Sequence, residues 1–322
     1  MAQPISLDNV SILIPVKNGR QFVERTLPQI VEMARGAEVV IVDDGSFDGS
    51  FEFCQSFSQT YKNFRVVRSP GNGICDALNF GIGITTKEWI ARCDIDDAYE
   101  MNKLVEQIEL INSTKAILVF SDYAFYSEDG VFLGSIPGGV LSLPTKLSLV
   151  TGRRTPHPSA IFLKEACLRV GGYIQEDSPA EDLSLWLRIC NLGDFATTDS
   201  ILLKYRLSTT STTLQNRAKS ITQRTKVLND YPISFEYFKE IIQQIDSITK
   251  QYSKMRAPGK RTALLLFDIY SFSLRYKTRI PFQTYLVMFR RLLGIRTLIA
   301  CAQLFLEAKR RNRFRRNSLN RL

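Results

Sequence analysis

The sequence has a single histidine, His157, and no paired cysteines. Cys54, Cys75, Cys93, Cys167, Cys190 and Cys301 include no CxxC spacing. Structural zinc sites and disulfide frameworks draw on clustered ligands, so the pattern favours buried free thiols in a reducing compartment. A spanning helix is also missing. The longest apolar stretch, 292–306, has 15 residues and contains Arg296 and Gln303, short of the ~20 that a bilayer needs. The first residues, MAQPISLDN, lack the basic and apolar regions of a signal peptide. No repeat or low-complexity segment is visible. These absences predict a cytoplasmic chain, or one held on the cytoplasmic face of the inner membrane.

What is present is material for a large core and an uneven charge. With 322 residues, 44% of them hydrophobic, the chain fits one large domain or two smaller ones and is neither disordered nor fibrous. The formal net charge is +10, yet residues 251–322 hold 17 Lys/Arg against two acids, Asp268 and Glu307. Residues 1–250 hold 25 Lys/Arg against 30 Asp/Glu. The body is mildly acidic and the tail strongly basic, and each needs its own explanation.

Strand and helix signals alternate through the first 120 residues. Val10-Ser-Ile-Leu-Ile-Pro-Val16, Glu38-Val-Val-Ile-Val42, Phe64-Arg-Val-Val67 and Glu88-Trp-Ile-Ala-Arg-Cys93 read as strands. Continuous β-branched runs suit strands buried on both faces of a parallel sheet. Helical stretches at 20–35, 51–61 and 74–84 separate them. The order predicts an α/β fold with an open, mostly parallel sheet flanked by helices. Residues 116–120, 130–133 and 196–205 read as further strands, and 181–190 as a helix. After residue 213 strand signals fade and long helical windows follow, so the boundary of a first domain, 1–213, is placed there.

In such sheets ligands bind outside the carboxyl ends of the strands. Strand one ends in Val16-Lys17-Asn18-Gly19, strand two in Asp43-Asp44-Gly45-Ser46 and strand four in Asp94-Ile95-Asp96-Asp97. Carboxylates gathered at one edge repel one another unless a cation joins them, which suits a divalent metal and a phosphate. The alternative is that these acids cap the following helices.

These residues carry a resemblance. Residues 10–19, 39–48, 71–81 and 89–97 resemble the GT-A domain of family 2 glycosyltransferases, as do Thr155-Pro-His-Pro-Ser159, Val170-Gly-Gly-Tyr173, Glu181-Asp-Leu-Ser-Leu-Trp-Leu-Arg188 and Lys204-Tyr-Arg206. The resemblance spans about residues 8–213. It implies that Pro15, Val16, Lys17, Asn18, Asp43 and Asp44 hold a nucleotide base and ribose, with Asn72 and Gly73 nearby. Asp94-Ile95-Asp96 would be the DxD motif, with Asp96 and Asp94 holding Mn2+ or Mg2+ on the diphosphate. Asp182 would be the catalytic base, with Glu181 in reserve; a pair of acids at a helix start is the structural alternative. His157 would touch donor or acceptor, although a lone histidine between prolines also reads as a rigid loop. The implied reaction is inverting transfer from a nucleotide-sugar, a UDP-sugar first, to a glycan or lipid-linked oligosaccharide of a surface polysaccharide. One departure stands out: Leu207-Ser208 follows Tyr205-Arg206 where many relatives carry a metal-assisting histidine.

The tail has an apolar part, 285–306, followed by Lys309-Arg310-Arg311-Asn312-Arg313-Phe314-Arg315-Arg316. Such an arrangement predicts a helical region, 214–322, seeking an anionic membrane surface. A buried helix or an oligomer contact is the alternative. No nucleic acid is expected as a partner, given the acidic body. The rival functions are a non-catalytic nucleotide-sugar-binding scaffold, against which the Glu181-Asp182 pair stands, and a nucleotidyltransferase, whose Gly-rich basic N-terminal signature is absent.

Overall fold

Seven consecutive buried residues, Val10–Val16, form β1. Because strand side chains alternate, this strand serves two cores. Val10, Ile12, Ile14 and Val16 share one with Val23, Leu27 and Ile30 of α1 (Arg20–Ala34). Leu13 shares the other with Cys75, Leu78 and Ile82 of α3 (Ile74–Ile84). Gly81 lets α3 approach β1 closely, since a Cβ there would lie 2.3 Å from Leu13 Cδ1. The computed structural model describes residues 3–71, 73–137, 142–151, 155–207, 217–231, 258–275, 304 and 306–309.

β2 (Glu38–Asp43), β3 (Phe64–Arg68) and β4 (Trp89–Arg92) join β1 as parallel neighbours in the order β3-β2-β1-β4. α2 (Ser50–Thr60) links β2 to β3. The sheet then continues through β8 (Ile161–Leu163), β6 (Leu118–Ser127), β9 (Phe195–Leu207) and β5 (Ala98–Tyr99), with β7 (Phe132–Ile136) on β6. This half is mixed: β8 runs antiparallel to β4 and β6, whereas β6 and β9 are parallel. The fold is α/β as expected; the first half of the sheet is all parallel, and in the mixed second half the β6–β9 pair is parallel too.

Several spans differ from the sequence reading, which gave no element for β5, β8, Ser142–Val150 or Lys164–Arg169. β6 runs on to Ser127 rather than stopping at Phe120, the strand expected at 130–133 lies at Phe132–Ile136, and α4 (Lys103–Thr114) was not expected. The extension of β6 carries Ser121 and Asp122, which break an apolar pattern, but both are buried. α5 (Ser142–Val150), α6 (Lys164–Arg169) and α7 (Glu181–Ile189) complete the layers.

Two later helices, α8 (Arg217–Asp230) and α9 (Pro258–Arg275), rest on this body. Val227, Leu228 and Leu265 enter the same core as Trp186 and Phe120. Arg261 and Asp122, both buried, form an ion pair at 2.5 Å. Thr151 Oγ1, just after α5, donates to Asp268 Oδ1 at 3.1 Å. Glu307 accepts from Ser135 N at 3.1 Å and pairs with Lys260 at 2.5 Å. Among the described residues no helix is long and apolar enough to cross a membrane. The basic residues 310–316, all of 285–303 and the boundary near 213 lie outside the described residues.

Candidate active site at the strand ends

β1 and β2 end side by side, with Val16 opposite Asp43 and Pro15 opposite Val42. Asn18 turns the chain toward α1 in a left-handed conformation, φ 48°, which its short polar side chain tolerates. Asn18 N donates to Ser46 Oγ at 2.9 Å, and Asn18 Oδ1 accepts from Phe47 N at 3.0 Å. Asp44 ties the loops together. Its N donates to Val16 O at 2.8 Å, while its carboxylate accepts from Lys17 Nζ and from Gly73 N, each at 2.9 Å.

Asp43 is 1% exposed. Its Oδ2 accepts from Ser46 N at 3.1 Å with Arg68 Nε 3.9 Å away, whereas Oδ1 is buried without a hydrogen-bond partner. Buried polar atoms are nearly always paired, so an orphaned acceptor here suits a donor group on a ligand. Asn72 lies outside the described residues.

Arg92 ends β4 opposite Leu13 and is 2% exposed. Its Nη2 donates to Asp94 Oδ1 at 2.6 Å and its Nη1 to Cys93 O. Tyr99 Oη accepts from Asp94 N at 2.6 Å and lies 2.9 Å from Asp94 O. Asp94, Asp96 and Asp97 bring carboxylate oxygens within 4.8 Å of one another, the only such group among the described residues. Burial, then the Asp94 charge, pushes the Asp96 carboxyl up to about 6. Burial and both neighbouring carboxylates push Asp97 well above the usual range. Asp97 Oδ1 accepts from Arg206 N at 2.8 Å, and its Oδ2 is buried with no partner. Crowded carboxylates with an orphaned oxygen fit a hard divalent cation. Asp97 thus joins the two acids expected from the sequence.

A third group comes from α7 and the segments before it. Glu181 is partly buried with Oε2 unpartnered, and burial followed by the Asp182 charge raises its carboxyl to about 7. Asp182 Oδ1 accepts from Leu183 N at 2.7 Å, a bond at the helix start. His157 Nε2 is 2.6 Å from Tyr173 Oη, and burial, with Arg92 nearby, pushes its pKa well below the ordinary value. His157 is therefore neutral at pH 7. Tyr173 is held by Asn79, whose amide accepts from Tyr173 N and donates to Tyr173 O, both at 2.8 Å. Trp186, fully buried, meets His157 edge-on at 5.7 Å between ring centres. Cys75 and Cys93 are buried packing residues, as the sequence suggested.

The Arg92 charge acts on His157, Glu181, Asp96 and Asp97 alike, which brings β4, its acidic loop and α7 to one place. Sequence reasoning passed over Arg92 and the Tyr173–His157 contact. A charge inside the otherwise apolar Trp-Ile-Ala-Arg-Cys strand was the available signal for the first.

Residues 11–158 match the model of the family described as glycosyl transferase family 2. The match covers just under half of the chain, and this part of the chain is similar to that family. The chain is 28% identical over 205 residues to an uncharacterized glycosyltransferase of Rickettsia felis, covering 61% of this chain and 34% of that protein. The chain therefore spans about a third of that relative's length. Glycosyltransferase GlyG of Streptococcus pneumoniae is 28% identical over 132 residues, 40% of this chain and 44% of that protein. Among solved structures, mannosyltransferase PcManGT from Pyrobaculum calidifontis, in complex with GDP-Man and Mn2+, aligns with TM-score 0.57 at 16% identity. That alignment covers 92% of this chain and 84% of the other. S. aureus TarS 1–349 in complex with UDP-GlcNAc aligns with TM-score 0.54 at 13% identity, covering 88% and 79%. At these identities the likeness establishes the GT-A type of fold.

Proposed function

We propose that this chain is an inverting glycosyltransferase that moves a sugar from a nucleoside-diphosphate donor, a UDP-sugar first, to a hydroxyl of a glycan or lipid-linked oligosaccharide in a surface polysaccharide. The observation that carries the reading is the convergence of three carboxylates, within 4.8 Å, at the end of β4, in a part of the chain similar to this family. Pro15, Val16, Lys17, Asn18, Asp43 and Asp44 would line the base and ribose, with Asn72 and Gly73 beside them. The unpaired Asp43 Oδ1 is an acceptor suited to a base N–H or ribose hydroxyl.

Asp96 and Asp94, with Asp97 adjacent, would hold Mn2+ or Mg2+ against the diphosphate. When bound, such an ion neutralises charge developing on the departing nucleoside diphosphate. Asp182 takes the proton of the acceptor hydroxyl as that oxygen attacks the anomeric carbon from the face opposite the leaving group, which inverts the configuration. Glu181, already inclined to stay protonated, is the reserve. His157, neutral and steered by Tyr173, offers a hydrogen bond to the sugar rather than a charge. The basic residues 309–316 would hold the catalytic part, residues 1–213, peripherally on the cytoplasmic face of the inner membrane through the region 214–322.

The test is a panel of nucleotide-sugars with Mn2+ or Mg2+, reading nucleoside diphosphate release with and without lipid-linked acceptor. Asp182→Asn is expected to lower transfer by about 10²–10⁴-fold while donor binding persists; full activity in that variant would remove Asp182 from the role. Deleting residues 309–322 is expected to move the protein from membranes to the soluble fraction. An unchanged distribution would end the membrane reading.

A further inference from the structure

Three carboxylates held together need something to hold them before any cation arrives, and one side chain is built for that. Arg92 is a fully buried guanidinium on an interior strand, 2% exposed, while the Asp94 side chain it binds is 29% exposed. Burying a charge is costly unless it is paired and hydrogen-bonded, so a lone arginine in a strand of buried residues is not a packing choice. Its fork is divided: Nη2 goes to Asp94 Oδ1 at 2.6 Å, and Nη1 goes to Cys93 O, with Leu13 O at 3.5 Å. The guanidinium therefore joins the frame of β1 and β4 to one oxygen of one acid. Asp94 is fixed from the other side as well, since Tyr99 Oη contacts both its N and its O.

We infer that Arg92 is a positioning residue for the donor site. It sets the Asp94 carboxylate in one orientation by engaging Oδ1, leaves Oδ2 for a ligand, and offsets the charge of the Asp94, Asp96 and Asp97 group. Ligation then falls unequally on the three acids. Asp94 contributes one oxygen at most, Asp97 has Oδ1 engaged by Arg206 N, and Asp96 is the least committed. The inference rests on the donor-binding reading above.

Calorimetry of the full chain with UDP and with GDP, each with Mn2+, provides the test, supported by paramagnetic titration of Mn2+ alone. Arg92→Gln is expected to weaken nucleotide–Mn2+ binding about ten-fold, and Asp94→Asn to do much the same. Because Arg92 acts through Asp94, the double variant should bind within about two-fold of Asp94→Asn alone; contacting residues are where additivity fails. Independent, multiplying losses would overturn the inference, as would normal binding by folded Arg92→Gln. A purely structural arginine would lower the melting temperature without producing this non-additivity. Should Arg92→Gln fail to fold, Arg92→Lys carries the same cycle, since an ammonium keeps the charge but lacks the fork. If the wild-type chain binds neither nucleotide, the donor-site reading fails and takes this inference with it. If it binds and the cycle is additive, only this inference fails.

Discussion

Replacing Arg261 by Met tests whether α9 is part of the body built on the sheet. Arg261 and Asp122 are both buried and 2.5 Å apart, and they come from positions 139 residues apart in sequence. Removing one partner of a buried pair costs about 3–5 kcal/mol, because the other charge stays in the interior. Both side chains have further contacts, so the low end, about 3 kcal/mol, is the figure to use. Unfolding entropy of ~2.1 cal/mol/K per residue over 322 residues gives a fall in Tm of roughly 4 °C. Asp122→Leu combined with Arg261→Met removes both charges and is expected to recover most of that loss. The two tryptophans, Trp89 and Trp186, are buried in the body, so their fluorescence reports on the core rather than on α9. An unshifted fluorescence melt in Arg261→Met would refute the docking of α9, and so would a double variant no better than the single.

Gly172→Ala is expected to destabilise by about 1–3 kcal/mol, read by urea unfolding: Gly172 has φ 69° and its Cβ would lie 2.5 Å from Asn79 Oδ1. Gly130, also at positive φ but with nothing within 4 Å, should cost less when replaced by Ala. Glu181 has a folded pKa of about 7 against 4.5, so the unfolded chain ionises first and stability is lost as pH rises between those values. Glu181→Gln should therefore gain on the wild type from pH 5 to pH 8 in unfolding midpoints; a constant difference would contradict this. Burial holds the thiols of Cys54, Cys75, Cys167 and Cys190 at about 12 and raises that of Cys93. At most one of the six cysteines should react quickly with a thiol reagent before unfolding, and prompt reaction of several would contradict the packing.

The first half of the sheet was legible because its strands are uniform. Val10–Val16 and Glu38–Asp43 are apolar over nearly their whole length, and each ends where a polar turn begins. The second half was not, for a nonlocal reason. Ser121 and Asp122 read as the end of a strand, and Arg261, far along the chain, helps make Asp122 tolerable inside one. The site followed the same division. Asp94, Asp96, Glu181 and Asp182 were visible as types at strand and helix ends. The engagement of Asp94 by Arg92 depends on how β1 and β4 align, and the seating of His157 against Tyr173 depends on Asn79, 94 residues away from its partner. No local pattern encodes either.

Asp44 has a consequence for how any ligand would be received. Both of its carboxylate oxygens are engaged, by Lys17 and by Gly73, and its amide is bonded to Val16. Three segments are tied together there by hydrogen bonds, so on the proposed donor-site reading a nucleotide would meet a mould instead of making one. Amide protons at Asp44, Ser46, Phe47 and Gly73 should exchange slowly before addition and change little afterwards. Ordering costs that many binding loops incur on association would, on that reading, be incurred here during folding, which would tie the tightness of the grip to the stability of the domain.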